Sequence, residues 1–191
     1  TVIPQAVFSM NIRLASVEIP PAVTEIGDMA FAGARLTSLT IPSNVEKIGR
    51  KAFHLHHLSS LTVPGNVKEI GESAFEGTYK EQTLRTLVLN EGIESIGRYA
   101  FKEGLLTTVE LPRSLNTMDH EPFLNNTGDD NDHVVTLRTH NSAHLAFNKG
   151  AVTHIVEMVS VKVTFDAGAG SVSPSYAMTG TNGQLDSIPI P

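Results

Sequence analysis

Val45, Ile48, Gly49, Ala52 and Phe53 return as Val67, Ile70, Gly71, Ala74 and Phe75, each 22 residues further along. A chain that restates its apolar residues at a fixed long interval is constrained more by that period than by any local motif. Two frames make up the period. The first, L-x-[ST]-L-x-[ILV], begins at Leu14, Leu36, Leu58, Leu84 and Leu106, with a decayed copy over Val134–Thr139. Successive starts lie 22, 22, 26, 22 and 28 residues apart, the long steps being the insertions TYKEQT (Thr78–Thr83) and NNTGDDNDH (Asn125–His133). The second frame, V-x-x-I-G-x-x-A-F, begins at Val23, Val45, Val67 and Ile93 and persists weakly in Leu115, Met118, Asp119, Pro122 and Phe123. Pro20, Pro42, Pro64 and Pro112 close the first frame, and Asn90 breaks that column. Phe31, Phe53, Phe75, Phe101 and Phe123 form a column of their own.

One such unit cannot bury its apolar side alone, whereas stacked units share a continuous core. The first frame alternates and is β-branched, so it predicts a short strand ended by its proline, which has no N–H for a ladder. V-x-x-I predicts a second extended or turn segment. The glycine after it suits a positive φ. A-F predicts a short helical turn that drops Phe inward. Coils joined by parallel pairing rise roughly 4.8 Å each, so five to six of them make a rod on the order of 25–30 Å long. The fold expected is a right-handed solenoid, mostly β with short helical turns, over residues 1–158. Ala143–Met158 caps it, with Phe147 echoing the Phe column and Val152–Met158 as a last strand.

Composition narrows the function classes. With 191 residues, 40% of them hydrophobic, and a net charge of −6, the chain supports a core and lacks the clustered Lys and Arg of a nucleic-acid face. It has no cysteine, so disulfides, thiolate metal sites and Cys nucleophiles are absent together. No apolar run approaches the ~20 residues of a membrane span, and no membrane insertion is expected. The chain reads as part of a longer protein from which a targeting segment has been removed.

The two frames resemble the BspA-type leucine-rich repeat, a bacterial surface-protein family with the pattern L-x-x-[IVL]-x-[IV]-P-x-x-V-x-x-I-G-x-x-A-F-x-x-C. The resemblance covers about Leu14 to Phe147 and places the fold in the leucine-rich-repeat solenoid class. Here the family's Cys column holds Ala34, His56 and Thr78 among others. A second resemblance lies in residues 159–191. Val163-Thr164-Phe165-Asp166-Ala167, the Gly168/Gly170 turn, Ser171–Pro174 and Gly183-Gln184-Leu185 with Ile188-Pro189 are similar to the opening of a Listeria–Bacteroides repeat, a small β module of secreted, wall-attached proteins. Together these imply an extracellular or cell-surface location.

Strand parity points Leu39 and Ile41 inward, so Ser38 and Thr40 point out. The outward columns are then Ser16, Ser38, Ser60, Thr86, Thr108, Thr136 and Glu18, Thr40, Thr62, Val88, Glu110, Arg138. The uniform Ser/Thr column is favoured as a stacking and strand-propensity feature. The variable column is the candidate binding surface: Glu18, Thr40, Thr62, Val88, Glu110 and Arg138, with Arg85 beside it. It carries no aromatic anchors, which predicts weak single-site affinity raised by multivalency.

Other motifs favour bland explanations. His54, His56 and His57 read as solvated loop histidines. GDDNDH (Gly128–His133) has oxygen ligands but neither Gly nor Glu in the register of a calcium loop. Asp119-His120-Glu121 reads as drift, with Asp119 in the Gly column because Asp tolerates φ > 0. DAGAGS (Asp166–Ser171) lacks the ending of a phosphate loop. No nucleophile, base and orienter converge, so no catalytic residues, metal ligands or cofactor are expected. Function is expected to be non-enzymatic: a surface or secreted protein binding protein or extracellular-matrix ligands as a monomer. A passive spacer and a glycan-binding surface stand as alternatives.

Overall fold

The computed structural model describes residues 1–78, 83–124, 126, 135–148, 154–159, 162–163 and 176–177. In chain order the strands are β1 (Val2–Ile3), β2 (Glu25–Ile26), β3 (Lys47–Ile48), β4 (Ser60–Val63), β5 (Glu69–Ile70), β6 (Thr86–Leu89), β7 (Ser95–Ile96), β8 (Thr108–Glu110), β9 (Thr117–Met118), β10 (Val135–Thr139), β11 (His154–Met158), β12 (Lys162–Val163) and β13 (Tyr176–Ala177). One 3₁₀ helix, Ser142–Asn148, sits between β10 and β11. The insertion residues 79–82, the GDDNDH segment and DAGAGS lie outside the described residues, as does most of 159–191, where β12 and β13 form a short antiparallel pair.

The molecule is a parallel β-solenoid of about six coils. Its longest sheet is built by V-x-x-I. β1, β2, β3, β5, β7 and β9 pair in parallel, placing Ile3, Ile26, Ile48, Ile70, Ile96 and Met118 in one register. The isoleucines point inward, and the residue before each points outward. The first frame builds shorter ladders, β4–β6 and β8–β10–β11. The strands expected at Leu14–Ile19 and Leu36–Ile41 do not form; there Thr37 N–H donates to the Ala15 carbonyl at 2.9 Å. Nothing in those two segments' own pattern distinguishes them from Ser60–Val63.

The core is a stack of rings. Phe31, Phe53, Phe75, Phe101 and Phe123 lie parallel, with successive centroids 5.2, 5.1, 5.7 and 5.6 Å apart and planes within 12°. Phe8 adds a sixth ring, 5.2 Å from Phe31. The copy containing it escaped the sequence pattern because Pro4 and Val7 replace the Gly and Ala of its frame. Offset-parallel spacing of this kind is favourable for aromatic pairs.

Two expectations for the A-F corner are corrected. The corner is not helical. Met29, Phe31 and Gly33 donate N–H to the carbonyls of Arg50, Ala52 and His54 in the next coil at 2.8, 2.7 and 2.7 Å. The intervening Ala30, Ala32 and Ala34 donate three residues back, to Gly27, Met29 and Phe31. Alternate N–H groups thus run along the rod and close local turns, so no helical ladder forms. The glycine after Ile is also not the positive-φ residue. Positive φ falls two positions later, at Met29 (56°), Lys51 (55°), Ser73 (55°), Tyr99 (59°) and Glu121 (57°). Gly49 is needed for space: a Cβ there would lie 2.7 Å from Asp28 N and 2.9 Å from Gly27 C in the preceding coil. Asp119 therefore does not occupy its column through tolerance of φ > 0.

The expected cap is present in the 3₁₀ helix and in β11, which pairs with β10 from Val135↔His154 to Thr139↔Met158. The Phe147 side chain lies outside the described residues. Buried His144 ties this cap to the coil before it. Its Nε2 lies 2.8 Å from the Leu115 carbonyl and its Nδ1 2.6 Å from Thr139 Oγ1. Burial pushes the His144 pKa down, opposed by the bond to Leu115.

Candidate functional site

The first frame alternates as its parity predicts. In β4 and β6 the sequence Ser-Leu-Thr-Val over Thr-Leu-Val-Leu reads exposed, buried, exposed, buried. Glu18, Thr40, Thr62, Arg85, Val88, Glu110 and Arg138 are all exposed. Register brings Thr62 beside Val88, and Glu110 beside Arg138, whose other neighbour is Glu157. Arg138 therefore sits between two carboxylate-bearing strands, an arrangement that cross-strand pairing favours.

This face is not continuous. β6 pairs with β4 and β8 pairs with β10, but β6 and β8 belong to separate sheets. An open depression of about 500 Å³ lies over that seam, lined among others by Val88, Leu89, Asn90, Glu110, Arg138 and His140. Val88 is 44% exposed and gives the depression an apolar element. His140 Nε2 lies 3.3 Å from the Glu110 carboxylate. His140 Nδ1 is buried with no hydrogen-bond partner among the described residues.

The seam falls in the unit that breaks the proline column. Asn90 stands where the other units have Pro, and Gly92 follows at φ 116°. A Cβ on Gly92 would run into the Gly65 carbonyl, so this turn packs tightly on the coil before it. On its other side, side chains bridge to the next coil. Gly92 N–H donates to Ser114 Oγ at 2.8 Å, and Arg113 N–H to Glu91 Oε1 at 3.0 Å. Of the sequence-predicted residues, Val88, Glu110 and Arg138 line the depression and Thr62 adjoins it through Val88. Glu18, Thr40 and Arg85 are not among the lining residues. The outward columns stopped short of His140 and Asn90. Asn90 was signalled by the broken column, and both share the outward parity of Arg138 and Val88 two residues before them.

The histidine cluster is corrected: His54 and His57 are half-buried, with His54 Nε2 3.7 Å from the Glu76 carboxylate, and His56 departs furthest from the solvated expectation. His56 is 1% exposed, not solvated. Its Nδ1 accepts the Leu58 N–H at 3.0 Å and its Nε2 lies 3.1 Å from the Phe75 carbonyl. Both ring nitrogens are engaged, which fixes a neutral ring and leaves no lone pair for a metal. Burial lowers its pKa to about 4, against the opposing bond to Phe75. His56 thus performs, inside the family's Cys column, the backbone-satisfying role that Asn126 performs near the other end. Asn126 Oδ1 accepts from Leu106 N–H, and its Nδ2 donates to the carbonyls of Phe101 and Phe123.

The stacked coils, the inward columns and the polar outer strand face define a leucine-rich-repeat solenoid, a class used for protein binding and typically non-enzymatic. Nothing among curated proteins or solved structures matches the chain. The model of the BspA-type leucine-rich repeat region matches residues 1–129 in six copies, and the chain belongs to that family. The match begins one copy earlier than Leu14, at the coil that carries Phe8. No helix among the described residues is long and apolar enough to cross a membrane.

Proposed function

We propose that this protein is a non-enzymatic, secreted or cell-surface binding module that engages host or extracellular-matrix protein through its strand face. The depression over the β6–β8 seam is the observation that carries this. It is the place on the face where an exposed apolar side chain, Val88, meets the charged Glu110 and Arg138 and the imidazole of His140. Thr62, Arg85, Glu18 and Thr40 extend the contact along the strands. The family's bacterial surface setting supports the location. Residues 1–158 act as the binding solenoid and 159–191 as the start of a second, Listeria–Bacteroides-like module. A face without exposed aromatics gives weak contacts, so single-site affinity is micromolar and avidity comes from multivalency.

A surface-plasmon-resonance screen against matrix proteins and glycans tests this. Micromolar binding to a protein, lost on Arg138→Glu and weakened by Arg85→Glu, is the expected result. Binding indifferent to both changes moves the site off the strand face. Glycan binding alone, or no binding at all, replaces the proposal with a sugar surface or a passive spacer.

A further inference from the structure

Along the strand face, some boundaries between coils are zipped by a backbone ladder and others are open. β4–β6, β8–β10 and β10–β11 are zipped. Leu14–Ile19 against Leu36–Ile41, Leu36–Ile41 against β4, and β6 against β8 are open. The residue that closes the later segment of each pair separates the two sets. Asn90, His140 and Val159 close the zipped ones, and Pro42, Pro64 and Pro112 close the open ones.

The cause is a backbone donor. Asn90 N–H donates to the Val63 carbonyl at 3.1 Å, and Val159 N–H to the Thr139 carbonyl at 2.8 Å. β8–β10 is continued by Leu111 N–H on the Arg138 carbonyl at 2.8 Å. A proline at the closing position has no N–H, and its ring carbon stands where the hydrogen would point, which holds the facing carbonyl off. The open boundaries fail toward that end only. Each keeps a bond at its leading end: Thr37 N–H to the Ala15 carbonyl at 2.9 Å, His57 N–H to Leu36 at 2.9 Å and Leu105 N–H to Leu84 at 2.7 Å.

Pro112 places one such opening under the depression. Alternate residues of a strand bond to the same side. Thr86 and Asn90 N–H reach Ser59 and Val63, while the Thr107 carbonyl and Leu111 N–H reach Thr136 and Arg138. The backbone groups of Leu87, Leu89, Thr108 and Glu110 therefore face the seam, and among the described residues no backbone bond joins them across it. Beyond the proline, Arg113 N–H on Glu91 Oε1 ties the coils again at 3.0 Å, so the gap is bounded at both ends. Leu87 and Leu89 face inward by parity, yet they are 7 and 8% exposed and line the depression. Val109 and Leu137, in a zipped ladder, are 1 and 0% exposed. We infer that Pro112 is the positioning residue of the depression: by withholding a donor it keeps β8 unzipped from β6 and holds the site open. That the opening serves binding rests on the strand-face reading above.

Native-state hydrogen exchange on Pro112→Ala tests the inference, because alanine restores the N–H without adding a polar side chain. Zipping sets Glu110 N–H on the Leu87 carbonyl and Leu89 N–H on the Glu110 carbonyl, so these two amides should exchange at least about tenfold more slowly than in the parent protein. A proline that served only to stiffen its turn would, when replaced, lower protection or leave it unchanged. Pro64→Ala makes the same test at the amides of Thr62 and Ile41, should the first variant not fold. Asn90→Pro is the converse, and should free the Val88 amide, which the β4–β6 ladder holds in register with Thr62. Unchanged exchange at the seam amides of a folded proline variant, or a Val88 amide still protected in Asn90→Pro, overturns the inference. Exchange is read on the chain alone, so a failed binding screen leaves the inference standing. Slowed seam exchange in Pro112→Ala with matrix-protein binding undiminished overturns the strand-face reading instead.

Discussion

Two residues two positions apart in the same corner have opposite requirements. Gly49 has an ordinary φ but no room for a side chain, while Lys51 has room but a φ of 55°. Gly49→Ala should therefore cost ~1–3 kcal/mol through overpacking against the Gly27–Asp28 backbone. Lys51→Gly relieves a left-handed strain of ~1–2 kcal/mol and adds ~0.5–1 kcal/mol of unfolded-state entropy, so it should be neutral to slightly stabilising. Urea denaturation of the two variants checks the pair, and a reversed order would restore positive φ to the glycine. His56 sets a pH dependence at the same scale. Its folded pKa of about 4 lies below the unfolded 6.5. The unfolded chain binds the extra proton between those values, so stability is full above pH ~6.5 and falls as pH drops toward 4. The loss is on the order of 3 kcal/mol. His54 and His144, whose pKa values burial also lowers, act in the same direction. His56→Asn, which carries no titrating ring, should flatten most of that slope in denaturation curves taken from pH 7 to pH 4.

At the scale of the strand, the six-stranded sheet is organised by charge as well as by isoleucine. Lys47 lies between Glu25 and Glu69 in register and pairs with Glu69 at 3.0 Å. The neighbouring column repeats the device with Lys68 and Glu94 at 3.1 Å. These pairs are about half exposed, so each is worth little alone. Their effect is register: a coil displaced by one unit along the rod would set like charges together. Lys47→Glu places a carboxylate between two others and should cost ~0.5–1 kcal/mol at low salt. High salt should restore most of it by screening; a loss independent of salt would mean the lysine acts through packing. This scale also shows what the sequence could disclose. The isoleucine and phenylalanine columns were legible because burial demands the same residue type in every coil. The outward parity of Val88, Glu110 and Arg138 followed from strand alternation alone. The seam between β6 and β8 was not legible, because it depends on which coils exchange backbone hydrogen bonds, and Leu84–Leu89 and Leu106–Leu111 carry the same pattern as paired segments. The role of His56 was hidden for a similar reason, since its partner, the Phe75 carbonyl, is supplied by the next coil.

Across the whole molecule, each coil touches only its neighbours, so stability is a sum of coil terms and nearest-neighbour interfaces. The phenylalanine stack is the largest shared element of those interfaces. Its ends differ: the Phe8 ring is 40% exposed, while Phe53 is fully buried between Phe31 and Phe75. Truncating an interior ring removes contacts to two coils at once. Phe53→Ala should cost ~3–5 kcal/mol, the usual range for deleting a buried aromatic. Phe8→Ala should cost markedly less, because its ring is partly solvated and has one stacking partner among the described residues. A linear array also localises the damage. In native-state hydrogen exchange, Phe53→Ala should weaken protection most in the coils of Phe31, Phe53 and Phe75, with smaller losses at the amides of Phe101 and Glu103, which bond to Pro122 and Leu124. Equal loss of protection from β1 to β9 would mean that the rod unfolds as one cooperative block and that its coils do not act as nearest-neighbour units.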